Sequence, residues 1–311
     1  MPESPSVCRI LSLDGGGAKG FYTLGVLREV EAMLPRPIHE TFDLIFGTST
    51  GSIIAALLAV GRSVENIHQL YREHVPTVMQ AKSRGAKSAR LRKVGEEVFG
   101  ETGFDAVTTG LGIVSTKWQL ETPMIFKSRQ TQAHGRRATF VPGFGCTIAD
   151  AVEASCSAFP FFERKTVITS AGDEVELFDG GYCANNPTLY ALADATKALG
   201  VAVNDCRVLS IGCGQYPEPR YSFFERMKRR FWLVQLLQKT LEVNTSSMDQ
   251  LRRLLYADVR TVRISDTFDK PEMATDMFEH DLGKLNLLRQ QGVESFARRE
   301  GDIRTLLLGG G

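Results

Sequence analysis

The sequence predicts an α/β protein with a mostly parallel central sheet flanked by helices. Short apolar segments alternate with segments whose apolar residues recur at helical spacing, and several of the short segments lead into a glycine-containing turn. The chain has 311 residues, of which 43% are apolar and 23% are charged, so it can bury a full hydrophobic core and has no signature of disorder. We expect a single domain over residues 1–311.

Two units of strand, turn and helix open the chain. The segment 7–13 is typical of a buried strand, and the helical segment 21–34 follows it after a run of glycines. The segment 42–46 is a second short apolar strand, and the helical segment 52–60 after it ends at a glycine, as helices often do. This repeated order favours parallel pairing of the strands.

Further strands are predicted later in the chain. The segments 176–178 and 208–211 are short and apolar, each leads toward a glycine turn, and helices lie between them. We therefore expect a catalytic core over about 7–214 and a helical appendage over about 215–311.

Charge and cysteine usage exclude some classes of function. The formal net charge of +1 argues against a protein that binds DNA or RNA through bulk charge. The six cysteines have no CxxC spacing and the five histidines lie far apart, so we expect no metal site, and the chemistry inferred below needs no organic cofactor. The longest apolar stretch, 53–60, is far shorter than the roughly 20 residues that cross a bilayer, and the N-terminus does not resemble a signal peptide. The sequence thus predicts a cytoplasmic protein.

A nucleophile elbow is predicted between the second strand and its helix. The residues there are Gly47, Thr48, Ser49, Thr50 and Gly51, which fit the GxSxG pattern in which a strained turn lifts a serine hydroxyl out of the sheet. A side chain at Gly47 or Gly51 would crowd this turn, and the serine itself occupies an unfavourable backbone region. The pattern arises by chance in a chain with 29 glycines, so its position between strand and helix is what makes Ser49 the candidate nucleophile.

A glycine-rich loop between the first strand and the first helix is a candidate oxyanion site. Its sequence is Asp14-Gly15-Gly16-Gly17-Ala18-Lys19-Gly20. Consecutive glycines let the amides of Gly15, Gly16 and Gly17 converge on one point, and a helix N-terminus there adds partial positive charge. Lys19 would orient this loop or add charge to it.

The same loop, 15–20, also satisfies the GxGxxG pattern of dinucleotide-binding proteins. The acidic residue expected about 20 positions later is not well placed, because Glu40 and Asp43 precede the strand that carries Ser49. A non-catalytic, nucleotide-binding regulator that uses this loop stays open as an alternative.

A base for the serine is predicted at Asp179, which Gly180 and Gly181 follow. Free aspartate has a pKa of about 3.9 and is a poor base, but desolvation beside a serine raises its basicity. Asp-Gly pairs also cap turns without any catalytic role, so this residue alone does not decide the chemistry.

The ordered motifs DGGGAKG, GTSTG and DGG, the last followed by NNP, together resemble the patatin-like phospholipases. The resemblance runs from about residue 7 to 214 and includes the segments 154–160 and 209–214. It implies a three-layer α/β fold and a serine–aspartate dyad without a histidine.

The resemblance also assigns roles to single residues. The dyad would be Ser49 and Asp179, the oxyanion loop Gly15, Gly16 and Gly17, and the supporting positions Lys19, Gly47, Gly51, Gly180 and Gly181. Many members of the family carry arginine where this chain has Lys19, and arginine holds two hydrogen bonds in a fixed fork whereas lysine does not. The orienting role of Lys19 is therefore open.

The function implied is a lipid acyl hydrolase of the phospholipase A type that cleaves membrane phospholipid esters. Some bacterial patatin-like proteins of this compact size are membrane-degrading effectors of antiviral defence that cyclic nucleotides switch on, and this chain is similar to them in general build. We thus expect membrane phospholipids as substrate, an anionic or cyclic nucleotide activator, and a protein that lies at the inner face of the membrane when active. A soluble esterase or lysophospholipase stays open, as does a homo-oligomeric state.

Two basic segments and the histidines are further candidates for a functional role. The segment 220–239 combines aromatic and basic residues, as helices at anionic lipid surfaces do, although a helix that packs its apolar stripe on the core has the same pattern. The stretch 82–93 has six basic residues and no acidic one, and we expect a solvated loop there, with an anion site as the alternative. His280, the only histidine after Asp179, lies among charged residues, which argues against a catalytic role.

Overall fold

The computed structural model describes residues 7–135, 137–217 and 229–309. Eight strands form one sheet: β1 (Cys8–Leu13), β2 (Leu44–Thr48), β3 (Gly110–Lys117), β4 (Pro123–Lys127), β5 (Lys165–Ile168), β6 (Glu174–Asp179), β7 (Cys206–Ile211) and β8 (Arg260–Ile264). The α-helices are α1 (Gly20–Met33), α2 (Ile38–Thr41), α3 (Thr50–Ala59), α4 (Val64–Gln80), α5 (Arg84–Phe99), α6 (Ile148–Ser155), α7 (Gly181–Ala184), α8 (Thr188–Ala193), α9 (Arg229–Leu255), α10 (Leu282–Ala297) and α11 (Glu300–Leu307). The predicted α/β fold with a central sheet flanked by helices is confirmed.

The sheet is parallel at its centre and antiparallel at one end. Its strand order is β5-β6-β3-β2-β1-β7-β8, and β4 pairs with β3 outside this path. Strands β3, β2, β1, β7 and β8 are parallel to one another, whereas β4, β5 and β6 pair antiparallel. The central strands β2 and β7 are buried along their whole length, as is typical of parallel strands whose two faces are covered by helices.

The parallel arrangement places the ends of β1 and β2 side by side. Leu13 pairs with Gly47 in the register, so the turn after β1 and the turn after β2 leave the sheet at the same edge. Asp179 at the end of β6 pairs with Ser115 of β3, which brings the third predicted motif to the same region. The carboxyl ends of parallel strands are where ligands bind in open α/β sheets.

The segment after residue 214 differs from the helical appendage predicted from the sequence. Its described part has three α-helices, but it also supplies β8, which extends the sheet next to β7. Leu285 and Leu288 of α10 belong to the same hydrophobic core as Leu24 and Leu27 of α1. The segment is therefore part of the main core.

The basic stretch 82–93 was wrongly predicted as a solvated loop. Most of it belongs to α5, which Ser83 caps by accepting a hydrogen bond from the amide of Ala86. Lys87 is buried and donates to the carbonyl oxygens of Val78 and Met79 at the end of α4. The amphipathic prediction for 220–239 falls partly on residues 218–228, which lie outside the described part of the chain. Among the described helices, none has the length and apolarity needed to cross a membrane.

Candidate active site

Ser49 lies in a strained turn between β2 and α3. Its backbone has φ 51° and ψ −126°, a conformation that costs a residue with a side chain roughly 1–3 kcal/mol. An added Cβ at Gly47, Gly51 or Gly180 would lie within 2.3 Å of a backbone oxygen, so the chain packs here at distances that only glycine permits. The predicted nucleophile thus occupies an elbow that the surrounding backbone holds in place.

The hydroxyl of Ser49 donates a hydrogen bond to Asp179, with 2.8 Å between Oγ and Oδ2. The other carboxylate oxygen, Oδ1, accepts from the amide of Gly181 at 2.7 Å. Burial raises the pKa of Asp179 to about 6, although the hydrogen bonds from Gly181 and Ser49 favour the charged form. A carboxylate with a pKa near neutrality is a better proton acceptor than a solvated one, yet remains ionised at pH 7.

A second serine holds the elbow and the aspartate together. Ser155, at the end of α6, accepts from the amide of Ser49 at 2.8 Å and donates to the carbonyl of Val114 at 2.6 Å. The amide of Gly180 donates to the carbonyl of Ser155, and that of Asp179 donates to the carbonyl of Ser157. The segment 154–160 carries part of the family resemblance, but no local pattern in it indicates which backbone amide the hydroxyl of Ser155 meets.

The glycine loop lies against Ser49 but differs from its prediction in one respect. An added Cβ at Gly15 would lie 3.1 Å from the Cβ of Ser49, so the loop passes directly beside the elbow. The Gly15 amide donates to the carbonyl of Asn185 at 3.0 Å and is therefore engaged. The amides of Gly16 and Gly17 have no acceptor within the described ranges. Two amides, rather than the predicted three, are available to an oxyanion.

Residues from distant parts of the chain fix the loop. The Arg263 guanidinium on β8 binds both carboxylate oxygens of Asp14, and its Nη1 atom also donates to the hydroxyl of Ser210 at 2.8 Å. Lys19 is buried, and its Nζ atom lies 3.8 Å from Oε1 of Glu242 on α9. The predicted supporting residue Lys19 thus connects the loop to helix α9.

Ser49 is one of the residues that line an apolar cavity. The cavity has about 90 Å³ of free volume and is lined mainly by side chains of α3, α4 and α5, including Leu57, Val75 and Val94. Gly17 and Ser49 line the same cavity, so an apolar chain inside it would lie beside both the hydroxyl and the loop. The arrangement suits an ester whose acyl part is a hydrocarbon chain.

No histidine of the described ranges forms a hydrogen bond with Ser49 or Asp179. His280 is exposed and its ring contacts the carbonyl of Phe278. His134 binds Asp194, and His74 lines the apolar cavity without a bond to the serine. The geometry fits a serine–aspartate pair and not a Ser-His-Asp triad.

Fold and site together define an α/β serine hydrolase that works on esters. A family model described as "Patatin-like phospholipase" matches residues 11–192, more than half of the chain, and the protein belongs to this family. It is 60% identical over 303 residues to the cUMP-AMP-activated phospholipase of Escherichia coli, an alignment that covers 97% of this chain and 95% of the relative. It is also 30% identical to the cGAMP-activated phospholipase of Escherichia coli strain TW11681, over 68% of this chain and 63% of the relative.

Among solved structures, the crystal structure of VipD from Legionella pneumophila matches with a TM-score of 0.51 and 12% sequence identity. The match covers 95% of this chain and 67% of that chain, and at this identity it concerns the fold alone. The family membership makes the protein a lipid acyl hydrolase.

Proposed function

We propose that the protein cleaves acyl esters of membrane phospholipids with Ser49 as nucleophile and Asp179 as general base. The observation that carries this assignment is the 2.8 Å hydrogen bond between the strained serine and a buried carboxylate. The amides of Gly16 and Gly17 have no acceptor among the described residues, and the loop that carries them passes beside this serine, which supports an oxyanion site at these two residues.

In the proposed reaction, Ser49 Oγ transfers its proton to Asp179 Oδ2 as it attacks the ester carbonyl carbon. The carbonyl oxygen becomes an oxyanion, which the amides of Gly16 and Gly17 stabilise. When the carbonyl reforms, the bond to the lysophospholipid oxygen breaks and Asp179 returns the proton to that oxygen, which leaves an acyl ester on Ser49. Water then loses a proton to Asp179 and attacks the acyl carbonyl carbon. When the bond to Ser49 Oγ breaks, Asp179 returns that proton to Oγ, and the fatty acid leaves with both residues restored.

The apolar lining of the cavity favours a long-chain substrate over a small soluble ester. Its free volume of about 90 Å³ lies well below the roughly 300–1,000 Å³ of typical small-molecule sites. We infer that α4 and α5 separate before a lipid chain enters, so this structure corresponds to a resting state of the enzyme.

A resting state suits an enzyme that a ligand switches on. Two relatives are named for activation by the cyclic dinucleotides cUMP-AMP and cGAMP, and the first aligns over 97% of this chain. We infer that a cyclic dinucleotide also activates this protein, that it acts as a membrane-degrading effector in antiviral defence, and that it binds the membrane surface peripherally when active.

The test is lipid product analysis by mass spectrometry after incubation with phospholipid vesicles, with and without cUMP-AMP. We expect fatty acid and lysophospholipid from wild type, and none from Ser49→Ala or Asp179→Asn. Asp173→Asn serves as the matched control because Asp173 is exposed and lies away from the site. Activity on short soluble esters alone would point to an esterase. Activity retained by Ser49→Ala would refute the proposed nucleophile.

A further inference from the structure

A groove lined with arginines lies at the far edge of the sheet from β5. It has about 630 Å³ of free volume and is bounded by β8, the end of α9 and the beginning of α11. Five arginines line it, namely Arg252, Arg253, Arg260, Arg263 and Arg299. Its size falls within the range of roughly 300–1,000 Å³ that is usual for small-molecule sites.

The groove has more positive than negative charge. Asp302 pairs with Arg299, Asp14 pairs with Arg263, and the second aspartate of the lining, Asp266, pairs with an arginine outside the groove. A single carboxylate, that of Asp249, serves both Arg252 and Arg253. Two guanidinium charges therefore lack a carboxylate: that of Arg260 and one from the Arg252 and Arg253 pair.

Arg260 carries one of these two unbalanced positive charges. Its side chain is exposed, and its guanidinium group has no hydrogen-bond or ion-pair partner among the described residues. Its register neighbour on β7, Arg207, instead donates to the carbonyl oxygens of Asn204 and Cys206. An anion bound in the groove would give the Arg260 guanidinium group a partner.

We propose that the arginine groove binds the activating cyclic dinucleotide through its two phosphodiester groups. The inference rests on the proposed function only in taking the activator to be a cyclic dinucleotide. Two phosphodiesters carry two negative charges, which match the two unbalanced guanidinium charges, and arginine binds phosphate oxygens in a bidentate fork. The hydroxyl-bearing residues Thr261, Ser265 and Thr305 also line the groove and offer hydrogen bonds to base edges.

Arg263 connects this groove to the proposed oxyanion site. Its side chain is 14% exposed at the groove, while its guanidinium binds Asp14, the residue before the glycine loop. A phosphate that binds the outer edge of Arg263 would displace its guanidinium, and Asp14 would move with it. The amides of Gly16 and Gly17, two and three residues further on, would move in turn. Arg263 is thus a positioning residue that transmits ligand binding.

The experiment measures cUMP-AMP binding by calorimetry and vesicle hydrolysis by mass spectrometry on the full chain. Arg260→Glu and Arg253→Glu reverse exposed charges of the groove, and Arg28→Glu reverses an exposed charge on α1 as the matched control. We expect each groove variant to weaken binding at least tenfold and to need a correspondingly higher ligand concentration for activation. Arg28→Glu should retain both properties, and thermal unfolding shows whether each variant is folded.

A further variant tests the transmission step. Arg263→Lys keeps the positive charge but loses the bidentate hydrogen bonds of the guanidinium group to Asp14. We therefore expect the affinity for cUMP-AMP to stay within about threefold of wild type. In the activated state, kcat should fall much more than KM changes. If kcat and KM in the activated state match wild type, Arg263 does not transmit binding.

The outcomes separate this inference from the proposed function. Vesicle hydrolysis that cUMP-AMP stimulates equally in wild type and in both groove variants overturns the location of the site and leaves the hydrolase intact. Hydrolysis by a protein that binds no cyclic dinucleotide overturns the inference as well. If the groove variants instead lose affinity only for phosphatidylglycerol vesicles, the groove binds lipid headgroups and the inference is wrong. Absence of hydrolysis in every state, with no fluorophosphonate labelling of Ser49, refutes the proposed function itself.

Discussion

Replacing the proposed base by its neutral isostere should make the protein more stable in a pH-dependent manner. Burial raises the pKa of Asp179 from its ordinary value of 3.8 to about 6, because the ionised carboxylate is less well solvated in the folded protein than in the unfolded chain. Asp179→Asn removes the ionisation and keeps the oxygen that accepts from Gly181. The folded variant therefore no longer carries a buried charge.

The sign and size of the effect follow from the two pKa values. Below pH 3.8 the carboxyl is protonated in both states, so folding and ionisation are uncoupled. Between pH 3.8 and about 6 the folded protein retains a proton that the unfolded chain has lost, and the free energy of unfolding of wild type falls as pH rises. Above pH 6 the full penalty is present and amounts to roughly 3 kcal/mol at about 1.4 kcal/mol per pH unit.

Urea unfolding of wild type and Asp179→Asn at several pH values measures this penalty. Every other titrating group contributes equally to both proteins, so the difference between their free energies of unfolding isolates residue 179. We expect the variant to gain roughly 2 kcal/mol on wild type between pH 4.5 and 7.5. Asp173→Asn, at an exposed aspartate, should show no such trend. A difference that is constant with pH, or that falls as pH rises, would refute a raised pKa at Asp179.

Three further predictions concern catalysis. The value of kcat/KM on a short soluble ester should rise about tenfold per pH unit up to about pH 6 and then level off, because Asp179 must be ionised; a rate already constant from pH 5 argues against this base. Ser155→Ala removes the acceptor of the Ser49 amide, so kcat should fall roughly 10- to 100-fold while KM changes little. Equal effects on kcat and KM would contradict a positioning role for Ser155. Val94→Trp fills part of the apolar cavity and should shift the released fatty acids toward shorter chains in a mass-spectrometric profile, whereas an unchanged profile places the acyl chain elsewhere.

The parts of the site that sequence motifs predicted are those set by local geometry. The order of strand, glycine turn and helix around Ser49 depends on residues within a few positions of one another, and the structure has this order. The contacts that fix the site were not predictable in this way. Ser155 meets the Ser49 amide across 106 positions, Asn185 meets Gly15 across 170, and Arg263 meets Asp14 across 249. Such pairings follow from the order of strands in the sheet, which no local pattern contains.

The wrong prediction for the stretch 82–93 has a different cause. Its density of basic residues suggested solvation, but arginine and lysine are good helix formers, and Ser83 provides an N-cap. Lys87 is buried and donates to the last carbonyl groups of α4, as basic side chains often do at a helix C-terminus. The number of basic residues in a stretch does not predict this contact. Helix propensity and capping were therefore better guides here than charge density.

The proposed dyad and the glycine loop differ in how far their hydrogen bonds and ion pairs involve the last third of the chain. Ser49 and Asp179 are held by Ser155 and Gly181, all within the first two thirds of the sequence. The loop after β1 binds Asn185, but it is also held by the last third, because Arg263 binds Asp14 and Glu242 lies beside Lys19. In addition, the carbonyl of Met277 accepts from the amide of Ala18. A ligand that shifts the C-terminal segment can therefore move the amides of Gly16 and Gly17 while the hydrogen bond between serine and aspartate stays intact. Since oxyanion donors act mainly on the transition state, control exercised in this way would change kcat more than substrate binding.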